Sequence, residues 1–274
     1  VAPVAGPSNR LAYLDAMGIR AWVPRQGSAQ AEEIPESLAP EPTPRPTPEP
    51  APAPVTLPVT PVEATAPARR AKAPAKPPEL KVVRNDGEPV EWTSFREEVA
   101  GCRQCTLCES RTQTVFGVGD KQARWLVVGE APGVDEDQQG EPFVGPTGQL
   151  LSAMLKAAGH TREQVFITNV LKCRPPENRD PHKDELAACS SYLVRQIELI
   201  KPSLILAVGR VAAHHLLETD IPVGRLRGIR HVHAATSIPV VVTYHPAYLM
   251  RKPSEKRKSW DDLRLAMSCS EPAS

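Results

Sequence analysis

No run of apolar residues in this 274-residue chain approaches membrane-spanning length. Its opening VAPVAGPSNR also lacks the sustained apolar core of a secretory signal. Neither a membrane partner nor export is therefore expected, and a cytoplasmic location with reduced thiols follows. Net charge is nearly absent too: 33 Lys and Arg against 32 Asp and Glu leave +1, which excludes a strongly basic protein. Local clusters can still hold an anionic polymer without moving that total. Two are present, Arg225, Arg227 and Arg230, then Arg251, Lys252, Lys256, Arg257 and Lys258. Each reads equally well as a solvated face.

Aromatic residues make up only 4% of the chain, and residues 41–78, EPTPRPTPEPAPAPVTLPVTPVEATAPARRAKAPAKPP, contain none. Fifteen of the 31 prolines fall within residues 31–80. Without aromatics or hydrophobic periodicity, such a stretch cannot bury enough apolar surface to offset the entropy of ordering it. Residues 27–86 are expected to be a disordered, Pro/Ala-rich, polyproline-like arm. From Gly87 onward roughly 185 residues remain, ample for one domain with its own core. The expected division is a peptide at 1–26, the arm at 27–86, one folded domain at 87–270 and a tail at 271–274.

Within that domain, strand-like and helix-like segments alternate. Strands are expected at Trp125–Val128, Val165–Leu171, Leu204–Val208 and Val240–Tyr244. Helices are expected at Gly148–Ala158, Asp184–Ile200, Arg210–Leu217 and about Ser254–Met267. Such alternation predicts an α/β fold, three layers with a mostly parallel central sheet. Ligands of these sheets bind beyond the carboxyl ends of the strands. The strand ends here carry GEAPGVDED, TNVLKC, AVGR and TYHPAYL.

Cysteine is scarce, yet three of the six lie in CRQCTLC at 102–108. Cys102 and Cys105 form a C-x2-C pair, and Cys173 and Cys189 follow far downstream. In a reducing compartment clustered thiols point to a metal more than to disulfides. A thioredoxin-type pair fits badly, because this pair precedes the first clear strand. Four thiolates satisfy zinc and a [4Fe–4S] cluster alike, and spacing alone does not separate them. GEAPG lacks the second half of GxGxxG and no GKT or GKS follows, so nucleotide binding is weakly supported. Gly148, at an expected helix start, is free to hold a phosphate.

Five motifs in order, CxxCxLCxxR (Cys102 to Arg111), GEAPGxxED (Gly129 to Asp137), EPFVGPTG (Glu141 to Gly148), TNVLKCRPP (Thr168 to Pro176) and HPAYL (His245 to Leu249), together resemble family 4 uracil-DNA glycosylases. The resemblance spans about Phe95 to Met267. It implies the three-layer α/β/α fold of that superfamily and a structural [4Fe–4S] cluster on Cys102, Cys105, Cys173 and Cys189. It does not make Cys108 a ligand, and Cys269 is a bystander. It further implies a monofunctional enzyme that flips uracil out of DNA and hydrolyses its glycosidic bond in base-excision repair. No lysine is placed as a Schiff-base nucleophile, so lyase activity is not expected. A superfamily relative that is trapped covalently on its product carries KRRIHH, which GRLRGIRHVH here does not match. The rival reading is an iron-sulfur DNA-binding or base-sensing module without turnover.

Reaching a bond hidden in the base stack requires extrusion of the nucleotide into a pocket. Phe143 offers the π-surface, and the Asn169 amide offers a donor and an acceptor that match O4 and N3–H of uracil. His245 offers an imidazole N–H to O2 as negative charge develops there. Glu130, ahead of Glu136, is the candidate to orient water, and Ala131 and Pro132 stand beside the base. His214, His215, His231 and His233 are read as surface or loop residues. Tyr248 and Leu249 are candidates to enter the gap left in DNA, with Arg251 and Lys252 on phosphates.

Outside the domain, residues 8–25, SNRLAYLDAMGIRAWVPR, read as a short amphipathic helix with Leu14, Ile19 and Trp22 as anchors. The pattern is similar to the N-terminal peptide of the DNA polymerase III psi subunit, which binds the chi subunit. This implies a replication partner at the end of a flexible arm. The chain is expected to be a monomer.

Overall fold

A computed structural model of the chain describes residues 90–270. The expectations placed on residues 1–26, 27–86 and 271–274 lie outside the described residues. In chain order the elements are α1 (Val90–Ala100), α2 (Leu107–Ser110), β1 (Val118–Gly119), β2 (Trp125–Gly129), α3 (Val134–Gln139), α4 (Gly145–Ala157), β3 (Phe166–Asn169), α5 (Lys183–Ile200), β4 (Leu204–Val208), α6 (Arg210–Leu217), α7 (Val223–Leu226), β5 (Arg230–Val232), β6 (Pro239–Thr243), α8 (Pro246–Arg251) and α9 (Lys256–Ser270). Among the described residues no helix is long and apolar enough to cross a membrane.

The six strands form one sheet in the order β1-β3-β2-β4-β6-β5. β3, β2, β4 and β6 are mutually parallel, and β1 and β5 close the two edges antiparallel. Strands covered on both faces need apolar residues at every position, which is why WLVV, LILAV and PVVVT are runs rather than alternations. Successive side chains still go to opposite faces. Trp125, Val127, Leu204, Leu206 and Val241 enter one core. Leu126, Val128, Ile205, Ala207, Val240 and Val242 enter the other.

Helices cover both faces, giving three layers. Trp92, Phe95 and Val99 of α1, Tyr192, Leu193 and Ile197 of α5, and Ala212, Ala213 and Leu216 of α6 fill one core. Leu151, Met154 and Leu155 of α4 and Leu263 and Ala266 of α9 fill the other. α5 starts where Glu185 accepts the His182 backbone N–H at 2.8 Å, a carboxylate in the first turn that satisfies an orphan donor. It stops where Lys201 turns left-handed, φ 50°.

Beyond added elements such as α1, β1 and β5, differences from the expected helices and strands lie at their ends. α4 starts at Gly145, so Gly148 lies inside the helix. A β-carbon at Gly148 would stand 1.7 Å from the Phe143 carbonyl oxygen. Glycine is there for close packing of helix on loop, and the buried position does not present a phosphate site. β3 ends at Asn169 rather than Leu171, although the Val170 and Leu171 amides still donate to the Gly129 and Glu130 carbonyls. His214 and His215 stand on α6 and His231 on β5, so three of the four unassigned histidines belong to regular elements.

Candidate active site

Because the four inner strands run the same way, their carboxyl ends meet along one edge, and a cavity of about 930 Å³ opens there. β2 delivers Glu130, Ala131 and Pro132, β3 delivers Asn169, β4 delivers Gly209 and Arg210, and β6 delivers Tyr244 and His245. Phe143 enters from the loop between α3 and α4. All six residues expected to contact a base thus share one cavity. None of His214, His215, His231 and His233 lines it.

The Phe143 backbone is left-handed, φ 53°, a conformation that costs energy in a bulky residue and needs outside support. The support comes from both sides of the residue. Glu136 Oε1 accepts the Val144 amide at 3.1 Å, and Arg162 donates to the Pro142 carbonyl. Glu136 Oε2 accepts the Gly133 amide at 3.0 Å. Both carboxylate oxygens of Glu136 are therefore engaged in shaping the loop.

Asn169 is 2% exposed, and among the described residues its Oδ1 has no hydrogen-bond partner. An orphan acceptor in such a place is costly unless something arrives to use it. His245 caps α8: its Nδ1 accepts the Ala247 amide at 3.2 Å. In a neutral ring that assignment leaves the proton on Nε2. Burial, reinforced by Arg251, holds the imidazole down to about 4, so the neutral form prevails near pH 7. Its ring centre lies 5.6 Å from that of Phe143.

Glu130 is pushed above the usual carboxylate range, first by burial and then by Asp180, with Arg210 opposing. Asp180 and Arg210 pair at 2.6 Å on the rim. Arg179, also on the cavity wall, is held by the buried Glu185 at 2.6 Å. Arg179, Arg210, Gly209 and Tyr244 were not assigned from sequence. Gly209, Arg210 and Tyr244 lie in the AVGR and TYHPAYL strand ends, which were the available signal, whereas Arg179 lies in neither.

The basic clusters separate. Arg251 lines the cavity and, like Lys252, is exposed. Arg227 is instead consumed internally, pairing with the fully buried Asp262 at 2.9 Å. Leu249 corrects another expectation. At 1% exposure it packs in the core among α4, α9 and the sheet, so it does not reach DNA from here. The turn of α8 that presents Tyr248 to the cavity carries the next side chain inward.

A second, small cavity is lined by Cys102, Cys105, Cys173 and Cys189 together with Lys172 and Tyr192. Among the described residues no group of three or more His, Cys, Asp or Glu side chains converges as for a single metal ion. The surroundings nevertheless suit a thiolate-bound group of negative charge. Burial pushes the Cys173 thiol up to about 11 and raises those of Cys105 and Cys189, so these sulfurs ionise only with a cation among them. Arg111 donates to Cys173 Sγ at 3.0 Å and the Lys172 amide to Cys189 Sγ at 3.3 Å. The Lys172 ammonium, fully buried, bonds at 2.7 Å to Thr168 Oγ1, the Asn169 carbonyl and Gln196 Oε1, all neutral. Buried charge calls for an opposite charge nearby, and the four sulfurs are where it can be. Cys108 and Cys269 do not line this cavity.

A doubly covered, mostly parallel sheet with a cavity lined by Phe143, Asn169 and His245 at its carboxyl edge sets the class. The chain belongs to the uracil DNA glycosylase superfamily, whose family model matches residues 116–264. Within it the chain is similar to the type-4 uracil-DNA glycosylase of Archaeoglobus fulgidus, 43% identical over 173 residues that cover 61% of this chain and 87% of the relative. It is 40% identical to that of Thermotoga maritima over 175 residues, 63% of this chain and 91% of the relative. A type-5 uracil-DNA glycosylase of Pyrobaculum aerophilum is 31% identical over 173 residues, 57% and 75%.

Proposed function

We propose that this chain removes uracil from DNA by hydrolysing the N-glycosidic bond, leaving an abasic site for base-excision repair. One observation carries the reading: the buried, unpartnered Asn169 Oδ1 shares its cavity with a neutral His245 whose Nε2–H is unclaimed by the backbone. Uracil extruded into that cavity offers N3–H and O4 to the Asn169 amide and lies over the Phe143 ring. Cytosine presents the opposite pattern and leaves the amide mispaired. The His245 N–H meets O2 and strengthens as the leaving base becomes an anion. Glu130 orients water and offsets positive charge on the sugar, while Glu136 shapes the loop. Ala131 and Pro132 confine the base, and Arg251, Lys252 and Tyr248 meet the strand outside.

Cys102, Cys105, Cys173 and Cys189 would hold a [4Fe–4S] cluster with a structural role, and no step of the hydrolysis needs it. The enzyme works as a cytoplasmic monomer. Residues 8–25 tether it, through the 27–86 arm, to the polymerase III chi subunit.

The test uses the purified full chain and oligonucleotides that carry one uracil, or thymine or cytosine in its place. After incubation and heating in alkali, cleavage is expected at uracil alone, with free uracil recovered. His245→Ala is expected to slow release by ~10²–10³. An intact strand with DNA binding retained would show a base-sensing module instead.

A further inference from the structure

Tyr244 and Tyr248 flank His245 in sequence and rest on each other at the cavity mouth, ring centres 4.9 Å apart and planes inclined by 40°. The inner ring is fixed from behind. The Arg227 guanidinium lies 5.4 Å from the Tyr244 ring centre. That guanidinium is itself locked by the fully buried Asp262, which also accepts the Gly228 amide at 3.0 Å. Over the outer ring, which is half-buried, lies a long, solvent-exposed side chain, Lys252, with Nζ 5.7 Å from the Tyr248 centre. A rigid aromatic pair overlaid by one movable cation, with Arg251 exposed beside it, has the chemistry of a nucleotide platform. It is continuous with the cavity that takes the base.

We propose that Tyr248, backed by Tyr244, stacks the base adjacent to the extruded uridine of single-stranded DNA, and that Lys252 moves from the ring to the neighbouring phosphate. The proposal rests on the glycosylase reading and deepens it by naming the form of substrate. A flipped nucleotide in a single strand leaves its neighbour unstacked, and a ring beside the mouth restores that stacking. With Leu249 committed to the core, this motif supplies no leucine wedge for a duplex.

The experiment measures kcat/KM for uracil release by the full chain from single-stranded oligonucleotides and from the duplexes they form with a complement. The 5′ or 3′ neighbour of the uridine is adenine or a base-less tetrahydrofuran spacer. Removing the base on one flank is expected to cost about tenfold, through KM, the range of base–aromatic stacking. Tyr248→Leu is expected to lose the same factor with the adenine neighbour and to become indifferent to the spacer, while Tyr248→Phe restores the dependence. Uracil release by the wild type that is equal for every neighbour would overturn the stacking role of Tyr248 and leave the glycosylase standing. So would a Tyr248→Leu defect confined to duplex substrate, which would place the ring in the duplex gap. No release from any oligonucleotide would overturn the glycosylase reading and the stacking role with it.

Discussion

Glu130 sits where its ionisation is contested. Burial and Asp180 raise its pKa while Arg210 lowers it, and Asp180 and Arg210 are themselves paired at 2.6 Å. A carboxylate that orients water works only when ionised, so activity is lost as pH falls through its pKa. Because that pKa is raised, the acid limb of kcat/KM should lie above the range of an exposed carboxylate. Removing the anion in Asp180→Asn should move the limb to lower pH, and removing the cation in Arg210→Gln should move it higher. No limb is expected near 6.5, because His245 is held at about 4 and stays neutral there. Single-turnover profiles of the three proteins check this. A limb that does not move in either variant would take the water-orienting role from Glu130. Glu136, a second carboxylate nearby in sequence, contrasts with it, because two backbone amides already occupy its oxygens.

At the scale of elements, a strand end must stop without intruding on what lies above it. Gly129 closes β2 directly under the pocket, and a β-carbon there would stand 2.4 Å from Asn169 Oδ1 and 2.5 Å from Phe143 Cζ. Gly129→Ala therefore strikes the two side chains that frame the base rather than the core. A displacement of about 1 Å at such groups costs ~10² in rate. Uracil release should fall by about that factor while thermal unfolding remains cooperative, and loss of the folded state instead would place the glycine in the core. The inner strands were legible because burial on both faces writes itself as apolar runs. β1 and β5, two and three residues long with no buried side chain, leave no period to read. α1 was missed although Trp92, Phe95 and Val99 have helical spacing, because it directly follows the proline-rich arm. The pocket residues were readable through their motifs. Leu249 was not, since adjacency to His245 does not say which side of α8 a residue takes. Lys172, Arg179 and Arg210 gain their meaning from partners that only the folded loops and helices bring to them: Thr168, Asn169 and Gln196 for Lys172, Glu185 for Arg179 and Asp180 for Arg210.

For the whole domain, the thiol-lined cavity joins three segments: the loop 102–105 after α1, the loop 172–173 after β3, and Cys189 of α5. Lys172 links that corner to the cavity at the strand ends, since its ammonium holds the carbonyl of Asn169, the residue proposed to read the base. If a cluster supplies the negative charge there, losing it leaves a fully buried cation among neutral acceptors. An uncompensated buried charge of this kind costs about 3–5 kcal/mol. In a domain of this size each kcal/mol lowers Tm by ~2–4 °C, so the loss should amount to at least ~6 °C. Cys173→Ser should accordingly lose the brown colour, iron and acid-labile sulfide, and should melt lower by that margin. Cys269→Ala should retain all three properties, because its thiol stands apart from the cavity. Lys172→Met separates the two contributions: it should keep part of the iron, yet release uracil more slowly because the Asn169 carbonyl has lost its anchor. Scanning calorimetry with metal analysis on the same preparations decides the matter. A colourless wild-type protein that carries zinc, with unchanged Tm in Cys173→Ser, would remove the cluster from this corner of the fold.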